Sequence, residues 1–100
     1  NMKLLQIDFK YNGPFGDKMS GAFVDLAQSI NSEKGFISKI WTENQTTNEA
    51  GGIYLFTDEA SALEYLDMHS KRLNSFGIEE INHKIFDVNI PLSVINKAKL

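Results

Sequence analysis

FISKIWTENQTTNEAGGIYLF, residues 36–56, decides the fold of this chain. It contains two strand-like runs, Phe36–Glu43 and Ile53–Phe56, separated by a polar stretch from Asn44 to Ala50 and by Gly51-Gly52. No helical spacing lies between them. The polar stretch is too long for a two-residue turn, so the runs predict a hairpin with a longer loop. Residues two apart in a strand share a face. One face of the first run is then Ile37, Lys39, Trp41 and Glu43, the other Phe36, Ser38, Ile40 and Thr42. The second set reads as core. The first joins the only tryptophan to a cation and an anion, which predicts a sheet face left open for a cleft or a subunit contact.

Working outward, residues 3–11, KLLQIDFKY, set Leu5, Ile7, Phe9 and Tyr11 against Leu4, Gln6, Asp8 and Lys10, a half-buried strand. NGPFG at 12–16 breaks it. Asp17 is the expected cap of a helix whose stripe is Met19, Ala22, Phe23, Leu26, Ala27 and Ile30, ended by Gly35. Downstream of the hairpin, Thr57-Asp58 predicts a second cap, and Ala62, Leu63, Leu66, His69 and Leu73 share a helical face that ends near Gly77. A fourth strand, Ile78 to Val88, alternates Ile81, His83 and Ile85 against Glu80, Asn82, Lys84 and Phe86. Pro91 is expected to close it, with a short terminal helix over Ser93–Lys99.

The order is βαββαβ. Right-handed crossovers turn it into an α+β, ferredoxin-like fold: a four-stranded antiparallel sheet with both helices on one face. The open face is expected to hold Gln6, Asp8, Lys39, Trp41 and Glu43, with Tyr54 and Phe56 if the parity holds. A two-fold homodimer packing sheet against sheet would cover it and enclose pockets.

The chain of 100 residues fits one domain, read as 2–100, with Asn1 before Met2 taken as a tag remnant. Zero cysteines exclude disulfides, thiolate metal sites and a cysteine nucleophile, and fit a reducing cytoplasm. A net charge of −3 argues against nucleic acid. Lys71-Arg72 and the Lys97/Lys99 tail read as solvated charge. No apolar run reaches the roughly 18 residues of a membrane span.

There is no phosphate loop, dinucleotide fingerprint or two-histidine metal spacing, so no cofactor and no metal are expected. His69 lies on the apolar helix stripe. It reads first as a satisfied core-edge histidine and second as a pocket acid or base. Trp41 is an interface anchor or a pocket wall. Asn12 is turn chemistry or a hydrogen-bond donor. Asp8 is a salt-bridge member or a base. Tyr54 and Tyr65 are packing residues with a polar tip.

Taken together, NGPFG (12–16), KIWTE (39–43), AGGIYLFTDE (50–59) and FDVNIPLS (86–93) resemble the YdhR family of small bacterial monooxygenases, of the dimeric α+β barrel superfamily. The similarity runs in register from Met2 to Leu100. It implies a homodimer and an oxidoreductase activity. Superfamily relatives oxidise aromatic polyketides without metal or flavin, or degrade haem, using tryptophan, asparagine, tyrosine and histidine around an enclosed pocket. Trp41, Asn12, Tyr54 and His69 are residues of those types. Three functions follow as expectations. The first is a cofactor-independent monooxygenase acting on a quinol- or anthrone-like aromatic, with His69 or Asp8 as base, Trp41 stacking, and Asn12 or Tyr54 on the oxyanion. The second is a ligand-binding or sensing dimer without turnover. The third is a haem-binding or haem-degrading protein with His69 as axial ligand.

Overall fold

The computed structural model describes every residue from Asn1 to Leu100. Its elements are β1 (Lys3–Lys10), α1 (Gly16–Ala22), α2 (Val24–Ile30), β2 (Phe36–Asn44), β3 (Glu49–Phe56), α3 (Glu59–Ser75), β4 (Ile81–Asp87) and α4 (Ile90–Ile95). The strands form one antiparallel sheet in the order β2-β3-β1-β4. This is the ferredoxin-like arrangement. The two edge strands are β2 and β4.

One apolar core joins sheet to helices. Leu5, Ile7 and Phe9 of β1 and Tyr54 and Phe56 of β3 pack with Met19 of α1, Ile30 of α2, and Ala62, Tyr65, Leu66 and Leu73 of α3. The predicted first helix is two short helices broken at Phe23. Asp17 does not cap it. Phe15 holds the cap position without a side-chain bond, and Asp17 lies in the first turn. The amide of Gly16 donates instead to Glu43 Oε1 at 2.7 Å, so a carboxylate from β2 serves the start of α1. Gly35 lies beyond the helix end, at φ +73°, and leads into β2. Asp58 caps α3 as expected, its carboxylate accepting from Ser61 N at 2.8 Å. Pro91 opens α4 rather than closing β4.

The parity of β2 is reversed from the sequence reading. Its register against β3 shifts between Phe36 and Ser38, at a bulge. Phe36 still faces the core, edge-on to Phe56. Beyond the bulge the alternation flips, because one extra residue moves every later side chain to the other face. Lys39 and Trp41 therefore lie under the helices, and Ile40, expected in the core, is 67% exposed. Tyr54 and Phe56 are also helix-facing, at 1% and 0% exposure, and not on the open face.

The open face is more apolar than the sequence reading made it. Register aligns Ser38, Leu55, Leu4 and Phe86 in one row and Ile40, Ile53, Gln6 and Lys84 in the next. Ile40 and Phe86 stand out of this face, and Ile90, Leu92, Val94 and Ile95 of α4 are exposed as well. No helix is long and apolar enough to cross a membrane.

Candidate functional site

Between the sheet and the helices lies a cavity of about 60 Å³, walled by side chains of β1, β2, β3, α1, α2 and α3. Its lining is mostly apolar, with Phe9, Met19, Phe23, Leu26 and Leu73 prominent. Lys39, Tyr54, His69 and Tyr11 are the titratable groups on its wall, and no carboxylate is among them. Met19, Phe23 and Trp41 also wall an outer groove of about 370 Å³ between β2 and the α1–α2 pair. The cavity and groove are thus separated by a few side chains, with the Phe23–Trp41 stack (6.1 Å, 16°) at the centre.

Lys39 reaches the cavity because β3 leaves it room. A Cβ on Gly52 would lie 2.6 Å from Lys39 Cε and 2.9 Å from a Tyr54 ring carbon. Gly52 thus leaves clear the space that the Lys39 chain and the Tyr54 ring fill. Lys39 Nζ sits 3.3 Å from the Trp41 ring centre and 4.7 Å from that of Tyr54, within cation–π range. The chain's two salt bridges are Lys3–Asp87 and Lys71–Asp67, so no carboxylate pairs with Lys39 or Arg72. Burial, aided by the positive charge of Arg72, pushes the Lys39 amine down to about 7.

Behind the amine is a buried polar chain. The hydroxyls of Tyr65 and Tyr54 share a hydrogen bond at 3.3 Å. Burial holds the Tyr54 phenol well above its ordinary range and raises that of Tyr65. His69 is 4% exposed, its ring stacked on Tyr65 at 5.1 Å. Arg72 Nε and a terminal nitrogen lie 3.2 and 2.9 Å from His69 Nδ1. The guanidinium can only donate, so Nδ1 accepts and the imidazole proton is on Nε2. Burial, then Arg72 and Lys39, push His69 down to about 3. It is a neutral imidazole at any ordinary pH.

The structure brings three of the five sequence candidates, His69, Trp41 and Tyr54, to one cavity. The pocket expected on the open sheet face is replaced by one on the helix face. Asp8 is on the opposite side of the sheet, its Oδ1 accepting from Asn82 Nδ2 at 3.0 Å. Asn12 is an exposed loop residue outside the cavity wall. Trp41 carries Lys39 over its ring and is stacked with Phe23, so its surface is already in use. From sequence Lys39 was placed beside Trp41 on the open face without a catalytic role, and Tyr11 and Arg72 were given none either. Arg72, read there as solvated charge, is partly buried against His69. Its i, i+3 spacing to His69, and the i, i+4 spacing of Tyr65 to His69, were the available signals.

His69 does not fit an axial haem ligand as it stands, being buried with Nδ1 engaged. Three or more histidines, aspartates or glutamates converge nowhere as a metal-ligand set.

The family model described as "Putative mono-oxygenase ydhR" matches residues 4–99, and the chain belongs to that family. Among solved structures, a mutant of SnoaB, a cofactor-independent oxygenase from Streptomyces nogalater, is similar with a TM-score of 0.62. The match covers 88% of this chain and 93% of that one at 16% identity, and it shows a shared fold. No curated protein matches the chain.

Proposed function

We propose that this member of the YdhR family is a cofactor-independent monooxygenase that oxidises a small quinol- or anthrone-like aromatic inside a homodimer. The observation that carries the reading is the Lys39 amine. It is partly buried in an apolar cavity with no carboxylate partner and is poised near pH 7. A base is most effective when its pKa lies near the working pH. Lys39 meets that condition, whereas His69, held near 3, is too weak a base and Asp8 is on the wrong face of the sheet.

In this mechanism Lys39 takes the acidic proton of the substrate, and its ammonium remains beside the oxyanion. With Tyr65 donating to Tyr54 in this step, the Tyr54 O–H turns to the same oxygen. The electron-rich anion passes one electron to O₂, and the two radicals combine to form a carbon–oxygen bond. Loss of water from the resulting peroxide turns a ring CH₂ into a carbonyl. One oxygen atom of O₂ enters the product and the other leaves as water. The substrate supplies all the electrons, so no external reductant is needed. A ring-sized ligand enters by displacing Phe23 from its stack on Trp41, which opens the cavity into the outer groove.

Oxygen uptake with purified protein across a panel of quinols and anthrones tests the reading, combined with ¹⁸O₂ labelling of the product. One ¹⁸O atom per product is expected. No uptake with any member of the panel, or product oxygen drawn from water, would refute it.

A further inference from the structure

Tyr11 extends β1 past Lys10, its amide donating to the Asn48 carbonyl at 2.8 Å. Phe9 and Phe15 hold its ring edge-on, at 6.1 and 5.4 Å. The ring lines the cavity, and its hydroxyl is buried with no hydrogen-bond partner. No other buried side-chain nitrogen or oxygen in the chain lacks one. Such a group costs stability, and folded proteins keep few of them. The packing here uses only the ring, which phenylalanine would supply equally well. The hydroxyl therefore lacks a structural reason within the protein.

Its place in the sheet points to a ligand. Lys39 pairs with Tyr54 in the register of β2 and β3. Tyr11 lies several positions further along, beyond the Phe9–Ala50 pair. The cavity wall thus carries an amine from β2 and an unmatched hydroxyl from the end of β1, at separate register positions in a mostly apolar lining. Burial, and then the charge of Glu43, raise the Tyr11 phenol above its ordinary range and keep it protonated and able to donate. The Glu43 carboxylate itself is occupied by the Gly16 amide.

We propose that Tyr11 is a specificity-determining residue that donates to a second oxygen of the ligand, so the cavity takes aromatics oxygenated at both ends. The proposal draws its aromatic ligand from the oxygenase reading and narrows it to para-dioxygenated rings. Phenols with one oxygen satisfy Lys39 and leave Tyr11 unmet.

Calorimetric titration under argon with 1,4-dihydroxynaphthalene and 1-naphthol, on the native protein and on Tyr11→Phe, tests this without turnover. The native protein is expected to bind the diol about tenfold tighter than the mono-ol, as one added hydrogen bond to a neutral group allows. Tyr11→Phe should abolish that preference, leave 1-naphthol unaffected and raise Tm. Undetectable binding of the diol, equal affinities in the native protein, or a preference that survives in Tyr11→Phe would overturn it. So would a fall in Tm, the sign of a hydroxyl already satisfied by buried water. Oxygen uptake separates the two readings. A diol preference without uptake sinks the oxygenase and leaves this assignment, and uptake without a preference does the reverse.

Discussion

Lys39 holds its amine 3.3 Å from the centre of the Trp41 ring. Two opposed forces meet at that nitrogen. The ring face attracts the ammonium, while burial and the nearby Arg72 charge favour the neutral amine. With the balance near pH 7, the group takes up or releases a proton for little free energy. Tryptophan here is a holder for the base, and its value lies in geometry.

Replacing Lys39 with methionine keeps the length of the chain and removes the base. Oxygen uptake should fall by about 10²- to 10⁴-fold. In the native protein, kcat/KM should rise with pH through about 7, since the amine must be neutral to accept a proton. A rise centred below pH 5, or uptake unchanged in Lys39→Met, would assign the base elsewhere.

Gly52→Ala tests the same site from the opposite strand. Its Cβ would meet the end of the flexible Lys39 chain, so the amine gives way before the backbone does. Overpacking of this kind costs about 1–3 kcal/mol. The displaced amine should regain solvent and titrate toward its ordinary 10.5, moving the pH–rate profile alkaline by more than one unit. A profile that stays centred near 7 would show that Gly52 does not set the position of Lys39.

The neutral state of His69 has a stability signature. Its folded pKa is depressed from 6.5 to about 3. Between those values the unfolded chain binds a proton that the native chain refuses, so stability falls as pH drops from 6.5 toward 3. Below pH 4 the carboxylates of Asp58 and Asp87, both depressed, add their own loss. The interval from pH 4 to 6.5 therefore isolates His69. Denaturant midpoints should decline across it in the native protein and stay nearly flat in His69→Phe. An equal decline in both would place the proton uptake on another group.

The fold was legible in the sequence because its signals were local. The alternation of Leu5, Ile7 and Phe9, the Asp58 cap and the double strand around Gln45–Asn48 each point to one element. The site was less so, because it depends on one residue of register. The bulge near Ile37 leaves no mark in FISKIWTE, where apolar side chains fall on both parities, yet it sends Trp41 and Lys39 to the helix side. In β3, Ile53-Tyr54-Leu55-Phe56 is apolar throughout, so only pairing with β1 decides which side faces the helices. The Glu43 contact to Gly16 joins residues distant in sequence and could not be anticipated from a local cap.

The corrected parity sharpens the case for a dimer and changes its residues. With Trp41 turned inward, the open face carries Leu4, buried Leu55 and Phe86 in one row beside Ile40 and Ile53 in the next. Ile40 is 67% and Phe86 48% exposed in the single chain. Apolar side chains exposed on both edge strands of one sheet face, Ile40 on β2 and Phe86 on β4, are the kind of surface that a second copy buries by two-fold pairing. Ile40→Lys places a charge on that face without touching the core or the cavity wall, and paired with its symmetry mate it sets like charges in the contact. The native protein should sediment as a dimer at low micromolar concentration, and Ile40→Lys as a folded monomer with unchanged far-ultraviolet circular dichroism. Trp41→Ala, which the inward placement assigns to the cavity, should leave the dimer intact. A native monomer, or a dimer lost in Trp41→Ala and kept in Ile40→Lys, would mean that the open face is not the contact.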